Sequence, residues 1–97
     1  MVFEFRRLQG FDWDKGNIIK NLLKHQVESL ECEEAFGDGG KVVFRDAKHS
    51  AGEKRYILIG KTMTGRLLFI VFTVRKNLLR VVSARGLNKK EAHFYEK

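Results

Sequence analysis

Arg66-Leu67-Leu68-Phe69-Ile70-Val71-Phe72-Thr73-Val74-Arg75, then Lys76-Asn77, then Leu78-Leu79-Arg80-Val81-Val82-Ser83-Ala84-Arg85: these residues carry the architecture. Two β-rich runs with only two residues between them read as antiparallel strands joined by a hairpin, because a parallel pair needs a long crossover. Leu67 to Phe72 is apolar at every position instead of every second one, the pattern of a strand covered on both faces, expected to be by helices on one side and by a partner on the other. Upstream, Arg55–Lys61 reads as another strand, linked through Met63-Thr64-Gly65. Val42-Val43-Phe44 is strand-like and follows the turn Gly37-Asp38-Gly39-Gly40. That glycine run is no phosphate cradle, since a cradle needs a helix to follow it.

Outward from the sheet, Phe3–Phe5 and Phe11–Trp13 alternate as a half-buried strand does. Asp14 is placed to cap a helix from Lys15 to about His25, with Trp13 and Ile18 spaced as a hydrophobic staple. At 100° per residue Ile18, Ile19, Leu22 and Leu23 share one face and are expected to turn inward. Asn17, Lys20, Asn21 and Lys24 then form an outer cationic, amide-rich stripe with His25 at its edge. Ser29 is expected to cap a second helix, Leu30 to Phe36, whose early carboxylates complement the helix dipole. A last helix starts at Asn88, with Glu91 three places on as an approximate capping box. The fold class is α+β: an antiparallel meander with two N-terminal helices and one C-terminal helix, expected to form a single domain over residues 1–97.

Composition narrows the function. Hydrophobic residues make up 43% of the chain, with eight Phe, enough apolar surface to exclude a disordered polyelectrolyte. No apolar run reaches the roughly 20 residues of a membrane span. The first seven residues place charges inside their apolar stretch, which argues against a cleavable signal, so a soluble cytoplasmic protein is expected. The net charge is +7, from 19 Lys+Arg against 12 Asp+Glu. Residues 54–90 hold Lys54, Arg55, Lys61, Arg66, Arg75, Lys76, Arg80, Arg85, Lys89 and Lys90 without one carboxylate, while residues 1–53 are slightly acidic. Such a block repels itself unless a polyanion or an acidic protein lies nearby.

The residues exclude several chemistries. His25, His49 and His93 are not spaced as metal ligands, and no cofactor is expected. Cys32 lies in an acidic stretch that makes it a poor nucleophile. What remains suits metal-independent RNA cleavage, which needs a proton acceptor for the ribose 2′-OH, cations for the phosphorane and an acid for the leaving oxygen. The proton carriers on offer are His25, Glu53 and Tyr95. Lys24, Arg55, Arg80 and Arg85 stabilise charge, with Ser83 as a donor and Asn21 at the substrate edge; arginine suits phosphate because its fork donates paired hydrogen bonds. Arg80 and Ser83 have opposite strand parity, so a shared site requires a bulge between them. The duller readings are a helix-end His25, a rim ion pair for Glu53 and a packing role for Tyr95. A non-catalytic nucleic-acid-binding module would use the same basic face, and a third class is an interaction domain for an acidic protein.

Trp13-Asp14, Asn21 with Lys24-His25 and Val27, Glu34-Ala35, Arg55-Tyr56 with Ile59-Gly60, Gly65-Arg66-Leu67, Arg80-Val81-Val82-Ser83-Ala84-Arg85, and Glu91 with Tyr95-Glu96 occur in that order. Together they resemble the BrnT family of toxins over nearly the whole chain from Phe11. The resemblance implies a RelE-like α+β fold and an endoribonuclease that inhibits translation. It also implies a ribbon-helix-helix antitoxin as partner, in a hetero-oligomer or beside a homodimer, with that antitoxin or a second copy expected over the second face of the Leu67 to Phe72 strand. Three positions depart from the pattern: Gln26 stands where the family usually has Gly, Ala92 where it usually has Arg, and Gly52 where many members have His.

Overall fold

The computed structural model describes residues 8–46 and 52–95. In chain order its elements are β1 (Gly10–Phe11), α1 (Lys15–His25), α2 (Ser29–Phe36), β2 (Val42–Arg45), β3 (Tyr56–Lys61), β4 (Leu67–Arg75), β5 (Leu78–Gly86) and α3 (Lys89–Tyr95). The alternation at Phe3–Phe5 lies outside the described residues.

From β2 to β5 each strand pairs antiparallel with the next. Lys76 and Asn77 both take positive φ, 51° and 64°, the backbone that a two-residue I′ hairpin turn requires. The sheet as a whole is mixed, which corrects the all-antiparallel expectation. β1 adds in parallel to the outer side of β5, Gly10 opposite Leu78 and Phe11 opposite Leu79, giving the order β1-β5-β4-β3-β2. The crossover that parallel pairing demands is supplied by everything from α1 to β4. A two-residue strand carries too little alternation to reveal its partner.

Side chains alternate between the two faces of the sheet. On one face Leu58, Leu68, Ile70, Phe72, Leu79, Val81 and Ala84 are buried with Val27 and with Cys32, Ala35 and Phe36 of α2. The Phe36 ring meets Phe11 and Phe72 edge-on, with centroids 5.2 and 5.0 Å away. Gly60 allows α2 to lie this close, since a Cβ there would stand 2.6 Å from the Ala35 carbonyl oxygen. On the opposite face Phe44, Ile57, Ile59 and Phe69 meet Glu91 and Phe94 of α3 around a cleft of about 270 Å³. Both faces of β4 are thus apolar because a helix lies over each.

Helix α1 corrects a second expectation. Asn21, assigned to the outer stripe, is 2% exposed, whereas Ile19, Leu22 and Leu23 are 54%, 45% and 78% exposed. Beyond the short β1, the outer edge of β5 offers backbone groups that need partners. Asn21 Oδ1 accepts the Ala84 N–H at 3.2 Å, a bond that no aliphatic side chain can supply, and this turns the helix. Asp14 caps α1 as expected, its Oδ1 accepting the Gly16 N–H at 2.7 Å. The helix ends on Gln26 in the left-handed region, φ 54° and ψ 40°. The Arg66 guanidinium donates to the His25 and Gln26 carbonyls at 3.1 and 2.7 Å and pairs with Glu31 of α2, a cation placed where the α1 dipole favours one. α2 begins one residue earlier than expected, with Glu28 and not Ser29 as its N-cap. At α3 the capping box is reciprocal: Asn88 Oδ1 accepts from Glu91 N and Glu91 Oε1 from Asn88 N.

Candidate active site

The strand pair that sets the architecture also sets the site. Between Val71 and Phe72 the register slips, so that Val71 faces Ser83 while Phe72 faces Val81. The extra residue, Val82, reverses the parity of everything after it. Arg80 opposite Thr73, Ser83 opposite Val71 and Arg85 opposite Phe69 therefore share the face that α3 covers in part. The bulge that a common site required is present.

At one end of this face Arg75 of β4 pairs with the Glu53 carboxylate, within range of the charges of Arg55 and Arg80. Glu53 accepts from Arg75 Nε at 2.6 Å and Arg75 Nη2 at 3.1 Å. These bonds hold the Glu53 carboxyl below its ordinary pKa; burial opposes them slightly, and the positive charges of Arg75, Arg55 and Arg80 add to them. Arg75 is raised in turn by the same partner. Arg80 reaches from β5 to Asp12 Oδ2 at 3.3 Å and Asp14 Oδ2 at 3.0 Å. Asp14 thus caps α1 with one oxygen and orients a guanidinium with the other.

At the other end Arg85 forms a two-pronged pair with Glu91, Nη1 to Oε1 at 2.7 Å and Nη2 to Oε2 at 2.5 Å. Its guanidinium lies over the Phe69 ring, 4.2 Å from the centroid. The Arg85 hydrogen bonds lower the pKa of Glu91, against a smaller opposing effect of burial. Tyr95 of α3 donates its hydroxyl to Asp38 at 2.7 Å, which raises the phenol above its usual range. Burial works against ionisation of Asp38, but hydrogen bonds from Tyr95, from the Gly40 N–H and from the Lys61 N–H outweigh it, so its pKa is lowered.

The residues expected at the site therefore divide. The charges of Arg55 and Arg80 act on Glu53, Ser83 and Arg85 share the Arg80 face of β5, and Tyr95 bonds Asp38 beside Lys61. Asn21, Lys24 and His25 belong to α1 at the β5 edge, where the His25 carbonyl meets Arg66. Asn21 is buried against Ala84, so it does not join Lys24 in one exposed stripe. Nor is the block uncompensated: Arg66, Arg75, Arg80 and Arg85 pair with Glu31, Glu53, Asp12 with Asp14, and Glu91. All these partners lie outside residues 54–90, Glu53 and Glu91 immediately beside the block and Glu31, Asp12 and Asp14 far from it in sequence. Arg75, Asp12 and Asp38 were missed as site residues. Only the shared parity of Asp12 and Asp14 on either side of Trp13 hinted at a paired function.

Cys32 is buried and its thiol is pushed up to about 12, by desolvation first and by Glu31 and Glu33 second, leaving it unfit as a nucleophile. Among the described residues no group of three or more His, Cys, Asp or Glu is placed to hold a metal ion. No described helix is long and apolar enough to cross a membrane.

Comparison with solved structures finds the crystal structure of the Brucella abortus ribonuclease toxin BrnT, with a TM-score of 0.63 and 20% identity over 82% of this chain and 97% of that one. At that identity the likeness speaks for the fold. Comparison with curated proteins gives no match. The sequence model described as "Ribonuclease toxin, BrnT, of type II toxin-antitoxin system" matches residues 13–91. With the greater part of the chain accounted for in this way, the protein belongs to the BrnT family of ribonuclease toxins.

Proposed function

We propose that this chain acts as one RelE-like toxin unit over residues 1–97, a metal-independent endoribonuclease that cleaves cytoplasmic RNA, inhibits translation and is neutralised by a ribbon-helix-helix antitoxin. The two-pronged Arg75–Glu53 pair, near enough to Arg55 and Arg80 for their charges to act on the carboxylate, supports putting the active centre here. An ionised carboxylate beside several guanidinium groups combines a proton acceptor with cations for a phosphorane. In this reading Glu53 takes the 2′-OH proton as that oxygen bonds to phosphorus, and Arg55, Arg75 and Arg80 hold the phosphorane. The P–O5′ bond then breaks, with water supplying the proton to the leaving oxygen. Ser83 and Arg85 extend the RNA track toward Tyr95. Arg80 commits one N–H of each terminal nitrogen to Asp12 and Asp14, which fixes its orientation before substrate arrives. Glu53 suits the role of base better than His25, which belongs to the α1 edge with Lys24 and Asn21.

The test is partner-free protein incubated with single-stranded RNA, with and without ribosomes, and scored for 2′,3′-cyclic phosphate ends. Glu53→Gln and Arg80→Ala are expected to lower cleavage by about 10²-fold or more, with Arg80→Lys intermediate, and His25→Ala to change it only a few-fold. RNA that stays intact under both conditions yet is retarded in a gel would instead establish a non-catalytic binding module.

A further inference from the structure

Helix α1 leaves its aliphatic side open. Ile19, Leu22 and Leu23, at i, i+3 and i+4, are 54%, 45% and 78% exposed, a spacing that presents three anchors on one helix face. The three charged residues that border them, Lys15, Lys20 and Lys24, are exposed cations, and α1 contains no carboxylate.

We propose that this stripe is the seat of an amphipathic helix of the antitoxin whose apolar side meets Ile19, Leu22 and Leu23 and whose flanks are acidic. The inference rests on the toxin–antitoxin reading above. Charge selects the occupant. A second copy docking α1 on α1 by a twofold axis would set lysines against lysines, in a chain that already carries +7. A partner rich in Asp and Glu gains from the same lysines, which also speed the encounter. The footprint stays on α1, because the neighbouring α2 displays exposed Glu28 and Glu33 that an acidic helix avoids. Nothing in the seat belongs to the Glu53 cluster, so antitoxin affinity and RNA cleavage can be separated by substitution.

The experiment is calorimetric titration of purified toxin with the antitoxin encoded beside it, together with RNA cleavage by each free toxin variant. Ile19→Gln with Leu23→Gln is expected to weaken antitoxin binding by about 10²-fold or more, and Lys20→Glu by about tenfold with a flatter salt dependence. Each free variant is expected to cleave RNA like the parent, which also reports that it is folded. Unchanged affinity in the double variant overturns the proposal, as does an antitoxin that binds none of the proteins. So does a toxin dimer that Leu23→Gln converts to monomer, which would give the seat to a second copy. If the parent leaves RNA intact while these substitutions still weaken the antitoxin complex, the ribonuclease reading fails and the docking site stands.

Discussion

Gln26 ends α1 in a conformation that L side chains rarely hold, φ 54°, at one of the three positions where the sequence departs from the resemblance described above. A Cβ in the left-handed region costs about 1–2 kcal/mol that glycine avoids. Gln26→Gly is therefore expected to stabilise the protein by about 1 kcal/mol, read as a higher urea midpoint at unchanged slope. The departure from the family was visible in the sequence, but the φ that gives it meaning was not. Asn21 teaches the converse lesson. A helical wheel assigns an amide to the wet side because it weighs residues by polarity alone. The unmet N–H of Ala84 is a property of a strand 63 residues away, and no wheel contains it.

At the scale of elements, the strands β2 to β5 and the three helices were legible because each has enough residues to express its period. The strand read at Phe11–Trp13 forms only over Gly10–Phe11 and its parallel partner was not legible, and the inward face of α1 was misread because the edge it closes forms only in the folded sheet. The meeting of α2 with β3 was equally invisible, though it depends on one residue. Gly60→Ala would drive a methyl to within 2.6 Å of the Ala35 carbonyl oxygen, a backbone atom that cannot rotate away. Overpacking of this kind costs about 1–3 kcal/mol, so the variant is expected to lose that much in urea denaturation, with RNA cleavage retained below its lowered midpoint. Retention of full stability would show that α2 slides freely over the sheet.

Over the whole molecule, a basic chain is held together by its few acids. The carboxyls of Asp38, Glu53 and Glu91 lie below their ordinary range. A group whose folded pKa is depressed adds stability above its unfolded pKa, about 4.3 for Glu, and that stability is lost as pH falls through the folded value. Stability is therefore expected to drop from just above pH 4 downward. Glu91→Gln should flatten this acid limb while lowering the plateau near neutrality, as urea midpoints between pH 2 and 7 will show. The candidate site was half legible for the same electrostatic reason. The excess of arginine could be counted along the chain, whereas which carboxylate meets which arginine, Asp12 and Asp14 with Arg80 above all, is set only by the folded sheet.

The pairing of Arg80 with Asp12 and Asp14 spans 68 and 66 residues, and β1 has no strand to lean on until β5 exists. During synthesis, then, the beginning of the polypeptide emerges and waits. A nascent chain halted short of β5 already contains the Arg66–Glu31 and Arg75–Glu53 partners but lacks Arg80, the partner of Asp12 and Asp14. Arg80, which the proposed active centre needs, is thus oriented only once the last strand has been made.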